Sequence, residues 1–202
     1  MQNSDYLISE NPMKALVFFS LPMIIGNLFQ QAYTMADSAI VGRLVGENTL
    51  AAVGAAYSLT NIFICIAIGG GIGASVIVSQ YFGRGSYGKL KKAVYTALIS
   101  FLLISGLLGG FGLLFSRKIM IALNTPAEVL DMSVTYLKIY FLGLPFLFMY
   151  NVLSSMFNAL GKSRIPLYFL IFSSVFNIVL DWIFVANFHL DVAGVAWATL
   201  IA

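Results

Sequence analysis

Charged residues are scarce in this chain of 202 residues: Asp, Glu, Lys and Arg together make up only 9% of it. A typical soluble domain carries about 25% charged residues, so the composition excludes a water-soluble globular protein of this size. The sequence has one cysteine, Cys65, and one histidine, His189. It therefore cannot form an internal disulfide, and it has no ligand cluster for zinc or an iron–sulfur group. It also lacks a nucleophile–base set, so we expect no enzyme activity and no bound cofactor.

Apolar residues, in contrast, make up 60% of the chain and give it a mean hydropathy of +0.92. The natural solvent for such a surface is lipid. Because a helix needs about 20 residues to cross the hydrocarbon core of a bilayer, the long apolar runs predict an all-α, multi-pass protein of the plasma (inner) membrane, surrounded by membrane lipid. We expect helices at about 15–42, 48–82, 90–115, 128–158, 165–188 and 192–202.

The last of these segments is too short to cross the bilayer. We therefore expect residues 14–202 to form a six-transmembrane-helix lobe whose sixth helix is truncated, which would make the chain a fragment or a truncated product. Residues 1–13 are polar and mildly acidic, unlike a signal peptide. We expect them to form a cytoplasmic N-terminal segment.

Positive charges lie mainly on one side of the expected helices. Arg84 and the lysines at 89, 91 and 92 lie between the second and third helices, and Lys162 and Arg164 lie between the fourth and fifth. Since loops rich in Lys and Arg stay in the cytoplasm, these loops and the N-terminus are expected to be cytoplasmic. The net charge of +3 then reflects orientation and contact with anionic lipid at 89–92, and no nucleic-acid partner is expected.

Several polar side chains interrupt the apolar runs, where they are costly and usually face the bundle interior or a water-filled cavity. In the first helix they recur at spacings of three, four and three, which puts them on one face: Asn27, Gln30, Thr34 and Asp37. In the fifth helix, Asn177 and Asp181 lie one turn apart, and the sixth offers Thr199. The fourth carries a stripe made of Tyr140, Gly143, Leu147, Asn151, Ser154 and Asn158.

Three of these residues are expected at one depth in the membrane. At a rise of about 1.5 Å per residue, Asp37, Asp181 and Thr199 each lie about 8–10 Å below the outer end of their helix, and Asn177 lies a turn deeper. Carboxylate, amide and hydroxyl oxygens suit a sodium ion, and paired acids in a poorly solvated site can hold a proton. These four residues are the candidate site for a coupling cation. The alternatives are helix–helix hydrogen bonds for Asn177, Asp181 and Thr199, and an interfacial position for Asp37.

A set of sequence segments in fixed order covers essentially the whole chain. The first, SLPMIIGNLFQQAYTMADSAIVGRLVG, has an early proline and an acid before a helix end that bears glycine. It is followed by LAAVGAAYSL, GASVIVSQYFGRG, NALGKSRIPL, NIVLDWIFV and GVAWATLIA. Together these segments resemble the N-terminal lobe of the MATE (multidrug and toxic compound extrusion) family, a branch of the MOP flippase superfamily.

The resemblance implies half of a two-lobe transporter that alternates between outward and inward opening. It implies a secondary active antiporter that exports organic cations or amphipathic drugs in exchange for sodium ions or protons. Asp37, Asn177, Asp181 and Thr199 match the family's cation site, and Gln30 matches a position that lines its cavity. The other candidates for a substrate cavity come from the polar stripes, and helix packing is their alternative: Asn27, Thr34, Tyr140 and Asn151.

The resemblance also implies a missing partner, because alternating access normally needs two halves that move against each other. The expected partner is the C-terminal lobe, and a second copy of this chain is the lesser alternative. Two other functions stay open: a lipid-linked saccharide flippase, whose cavity would carry basic residues for pyrophosphate, and a non-transporting membrane half-protein. The polar residues expected to face the bundle interior are acidic or neutral, which argues against the flippase.

Overall fold

The computed structural model of the chain describes residues 12–44, 46–188 and 190–202. These ranges are helical except for short turns, and they contain no strand, which confirms the predicted all-α class. The helices, in chain order, are α1 (Pro12–Leu44), α2 (Glu47–Gly83), α3 (Tyr87–Ala122), α4 (Ala127–Ala159), α5 (Arg164–Trp182) and α6 (Asp191–Ile201). A π-helical turn, Ile183–Asn187, follows α5.

By length and composition, five of the described helices, α1 to α5, are long and apolar enough to cross a membrane. The sixth, α6, has 11 residues and is shorter than a membrane span. Short turns connect successive long helices, so neighbours in the chain run antiparallel and α1 and α5 run in the same direction.

Helix α4 lies at the centre of the bundle, where it packs against both α2 and α3. The main core cluster joins these three helices through small residues of α2 and large side chains of α3 and α4: Ala56, Ala67, Met120, Val134, Leu137, Phe141, Leu144 and Phe148. Small residues let membrane helices approach closely. Gly109 is such a position, because a Cβ atom there would lie 2.8 Å from the backbone oxygen of Phe141.

Three of the turns end a helix in the same way. Gly85, Asn124 and Gly161 have φ angles of 65°, 54° and 74°, in the left-handed region. The residue after each of them donates its backbone N–H to a carbonyl five positions earlier, as in Ser86 to Tyr81 at 3.0 Å and Lys162 to Phe157 at 2.9 Å. This is the Schellman arrangement, which satisfies carbonyl groups at a helix end.

Some helix boundaries differ from the expected ones. Helix α3 runs to Ala122 rather than to about 115, so Arg117 and Lys118 lie inside a helix and not in a loop. The helix can continue through these two residues because both side chains are exposed, and Arg117 forms an ion pair with Asp131 of α4 at 2.8 Å. The α-helical part of α5 ends at Trp182 rather than at about 188, because the backbone continues as the π-helical turn.

The first helix also begins earlier than the expected boundary between residues 13 and 14. It starts at Pro12, and proline is favoured in the first turn of a helix, where its missing N–H costs nothing. The rest of the expected N-terminal segment, residues 1–11, lies outside the described residues.

Candidate functional site

Helices α1 and α5 pack side by side in one register. One turn after Pro22, a Cβ atom on Gly26 would lie 3.5 Å from a methyl group of Leu167 and 3.7 Å from one of Leu170. Two turns further along, the hydroxyl of Tyr33 donates a hydrogen bond to Oδ1 of Asn177 at 2.6 Å. The contacting residues are thus 141 to 144 positions apart in sequence at both levels, as expected for two parallel helices in contact over several turns.

This register extends to the two candidate acids, because the same separation joins positions 37 and 181. The backbone of Asp37 lies in α1, one turn beyond Tyr33, so it is level with Asp181 in α5. The side chain of Asp37 lies outside the described residues. Predicted equal height for the two positions therefore agrees with the backbone, and a meeting of their carboxylates stays a prediction.

Asn177 and Asp181 are among the most deeply buried polar residues of the described bundle, with exposed fractions of 2% and 0%. They lie one turn apart on the face of α5 that turns inward. The amide nitrogen of Asn177 is buried and has no hydrogen-bond partner among the described residues. Oxygen atoms of an amide and a carboxylate on one buried face are the donor set that a small hard cation requires.

Thr199 takes a less central position. It lies near the end of α6 on an exposed face, and its hydroxyl donates to the backbone oxygen of Val195 at 3.0 Å. A hydroxyl oxygen can accept as well as donate, so this bond leaves its lone pairs available to a cation. Its place in the cation site stays a prediction.

A cleft of about 140 Å³ opens between α1, α4 and α5, on the side of Tyr33 nearer the start of α1. Two of the predicted cavity residues, Asn27 and Gln30, line it. Its other walls come from α1 after Pro22, the last turns of α4 and the start of α5: Pro22, Met23, Gly26, Tyr150, Ser154, Asn158, Ser163, Pro166, Leu167 and Leu170. The lining is neutral and mixes amides and hydroxyls with apolar groups.

The other three predicted cavity residues do not line this cleft. Tyr140 donates its hydroxyl to the backbone oxygen of Thr60 in α2 at 3.1 Å, and Asn151 donates its amide to the oxygen of Leu147 at 2.8 Å. Thr34 donates to the oxygen of Gln30 on its own helix at 2.9 Å. These bonds satisfy the groups locally, and a role for them in a substrate cavity stays a prediction.

Three polar residues of the site were absent from the sequence prediction: Tyr33, Tyr150 and Ser163. Tyr33 lies four positions before Asp37 and three after Gln30, so the same helical spacing that selected its neighbours could have included it. Tyr150 and Ser163 line the cleft, and the sequence prediction included neither of them. Ser154 and Asn158 were part of the predicted stripe, and both reach the cleft.

Comparison with known proteins decides which family has this arrangement. The family model described as MatE matches residues 22–183, which include Tyr33, Asn177 and Asp181. The chain belongs to the MatE family. The predicted resemblance is thereby confirmed, together with membership of a family of membrane transporters.

Curated members of the MatE family match nearly all of this chain. It is 32% identical to the probable multidrug resistance protein YpnP of Bacillus subtilis (strain 168), over 95% of this chain and 43% of that protein. It is 29% identical to the multidrug export protein MepA of Staphylococcus haemolyticus (strain JCSC1435), over 98% of this chain and 44% of that protein. The chain thus spans less than half the length of these relatives.

Solved MatE-type structures have the same fold. One, described as an outward-facing conformation of a multidrug resistance MATE family transporter of the MOP superfamily, matches with a TM-score of 0.92 and 26% identity. The match covers 100% of this chain and 44% of that one. The predicted fold class, one helical lobe of a two-lobe transporter, is confirmed.

Proposed function

We propose that this chain is the cation-coupling lobe of a secondary active exporter, which moves organic cations or amphipathic drugs out of the cell in exchange for sodium ions or protons. The observation that carries the proposal is the fully buried carboxyl of Asp181, one turn from Asn177, on a helix that Tyr33 joins to α1. The names of the relatives YpnP and MepA, which refer to multidrug resistance and export, support the substrate class.

Burial explains why such a site would couple to a cation. A charged carboxylate in a low-dielectric interior costs several kcal/mol unless its charge is neutralised. A sodium ion or a proton can provide that neutralisation, so the occupied and the empty site differ strongly in energy. If the two conformations of the transporter also differ in how closely α1 approaches α5, a cation bound near Asp181 favours one of them.

The cleft beside this site has the chemistry for an amphipathic passenger. Its amide and hydroxyl groups can hydrogen-bond polar atoms, while Met23, Leu167 and Leu170 offer apolar surface. None of its lining residues is basic, so it offers no charge for the pyrophosphate of a lipid-linked saccharide. Export would further require a second lobe facing this one, with the N-terminus in the cytoplasm as the basic loops indicate.

The test measures cation binding by the purified chain. We expect sodium to raise the melting temperature of the wild type in choline buffer, whereas Asp181→Asn removes the rise. At a sodium concentration of 100 times its dissociation constant, the stabilisation is about 2.7 kcal/mol. Asp131→Asn is the matched control, since that carboxyl is exposed, and it should respond to sodium like the wild type.

Proton coupling predicts a different pattern. Lowering the pH in sodium-free buffer would then stabilise the wild type and leave Asp181→Asn unaffected. If neither cation acts through Asp181, the coupling proposal is wrong and a non-transporting half-protein becomes the better explanation. For transport itself, efflux of a cationic dye from cells driven by a sodium or proton gradient should be lost in Asp37→Asn and in Asp181→Asn, and undiminished efflux in both would remove the mechanism.

A further inference from the structure

Positive charge is concentrated at one end of the bundle. Six exposed basic side chains lie there, in the α2–α3 and α4–α5 turns and the helix starts that follow: Arg84, Lys89, Lys91, Lys92, Lys162 and Arg164. We call this set the basic end. Neither turn contains an acidic residue, and within the described ranges none of the six side chains has an ion-pair or hydrogen-bond partner.

The opposite end of the bundle has a different balance. The helix ends there carry four exposed acids, Glu47, Glu128, Asp131 and Asp191, beside Arg117 and Lys118. These acids outnumber the two cations, and Arg117 is paired with Asp131 at 2.8 Å. The excess positive charge of the described residues is therefore confined to the basic end, where protein side chains do not compensate it.

Packing brings the two basic turns together. Leu90, between the lysines at the start of α3, and Leu160, at the end of α4, belong to one apolar cluster with Val78 and Met156. Lys162 follows Leu160 by two residues in a turn closed by Gly161. The lysines of α3 and the cations of the α4–α5 turn therefore surround the end of a single cluster, although some 70 residues separate them in sequence.

Exposed tyrosines mark the height of the basic end relative to the membrane. Tyr87 and Tyr95 of α3 are 62% and 65% exposed, and Tyr168 of α5, one turn after Arg164, is 65% exposed. Tyrosine is enriched at the membrane–water interface, where its ring lies at the level of the lipid headgroups. The six cations therefore lie where lipid phosphates lie, at the edge of the apolar surface of α3 and α5.

We propose that the basic end is a binding site for anionic phospholipids, formed jointly by the two turns and occupied by the headgroup phosphates of the surrounding leaflet. Lys and Arg beside an anionic membrane surface gain about 1 kcal/mol each, which corresponds to about a fivefold change in association. Joint binding by the two turns holds the ends of α2, α3, α4 and α5 together. This inference does not depend on the proposed transport function.

The test measures which lipids associate with the reconstituted chain, and compares variants that remove positive charge from the basic end or from elsewhere. In nanodiscs, spin-labelled phosphatidylglycerol should associate with the wild type several-fold more strongly than spin-labelled phosphatidylcholine. Neutralising both turns, with Lys89→Gln, Lys92→Gln, Lys162→Gln and Arg164→Gln together, should bring the ratio close to one. The control pair Lys118→Gln and Lys138→Gln removes exposed charge elsewhere and should keep the preference.

Joint binding predicts that neutralising either turn alone costs part of the preference, and an effect confined to one turn would overturn the shared site. Raising the salt concentration should weaken the preference of the wild type, because screening acts within about 10 Å at 0.1 M ionic strength. Because the salt series uses only the wild type, it tests the proposal even if the fourfold variant does not fold. A lipid preference that salt leaves unchanged would refute a lipid site. So would inorganic phosphate in phosphatidylcholine discs, if it raised the melting temperature of the chain as much as phosphatidylglycerol does.

Discussion

Helices α3 and α4 lie close together where Gly109 faces Phe141, and this contact leads to a sharp prediction. A Cβ atom at Gly109 would lie 2.8 Å from the backbone oxygen of Phe141. Ordinary C···O contacts are about 3.3 Å or longer, so Gly109→Ala places a methyl group about 0.5 Å too close. The obstacle is backbone, so a side-chain rotation cannot relieve it and the helices must separate locally.

A proline explains why the carbonyl of Phe141 is available for this contact. In a regular helix, that oxygen would accept a hydrogen bond from the residue four positions later, which here is Pro145. Proline has no N–H to donate. The glycine of α3 therefore approaches an oxygen that its own helix leaves without that bond, and a Cα–H···O contact can partly replace it.

The expected cost of Gly109→Ala follows from overpacking, which destabilises cores by about 1–3 kcal/mol. For a chain of this length, 1 kcal/mol corresponds to about 2–4 °C in melting temperature. We therefore expect a fall of about 2–12 °C, measured by loss of the monodisperse peak in size-exclusion chromatography after heating in detergent.

The matched control is Gly110→Ala, one residue further along the same helix. A Cβ atom there would meet nothing within 4 Å, so this variant should be neutral or slightly stabilising, since alanine favours helix by up to about 1 kcal/mol over glycine. Equal melting temperatures for Gly109→Ala and the wild type, or equal losses in both variants, would refute close packing at Phe141.

Three further predictions concern single contacts. Tyr33→Phe removes the 2.6 Å hydrogen bond to Asn177 and should lower stability by about 1–3 kcal/mol, because it leaves a buried acceptor unpaired; an unchanged melting temperature would count against that bond. Gly71→Ala brings a Cβ atom to 3.1 Å from a backbone oxygen of α4, whereas Gly73→Ala meets nothing within 4 Å, so only the first should destabilise, and equal effects would contradict the α2–α4 packing. Asp131→Asn breaks an exposed ion pair and should change stability by no more than about 1 kcal/mol, as measured by thermal unfolding at low salt; a larger loss would indicate a buried network.

Much of the candidate cation site could be predicted from sequence, because polar residues stand out in apolar helices and helical spacing assigns them to faces. Asn177 and Asp181 were chosen in this way, and both are buried. The choice between Tyr33 and Thr34 could not be made, because it depends on the rotation of α1 about its axis. Contact with α5 turns Tyr33 inward, while Thr34 stays exposed and bonds to its own helix.

The cleft was predictable only in part, for a related reason. Asn27 and Gln30 face it, but Tyr140 lies nearer the other end of α4 and hydrogen-bonds to α2. A stripe along α4 defines a face of that helix and does not specify which neighbour covers each turn. That neighbour is α2 beside Tyr140 and α5 beside Asn158.

Composition and periodicity alone determined that the chain is an all-α membrane protein with buried polar residues such as Asn177 and Asp181 in its helices and most of its cations at one end, since the transfer of side chains between water and lipid acts residue by residue. Tertiary structure alone decided the common register of α1 and α5, the close contact of Gly109 with Phe141 and the proximity of two basic turns that are far apart in sequence. These features depend on the rotation and contact of whole helices, which arise from packing among residues far apart in sequence.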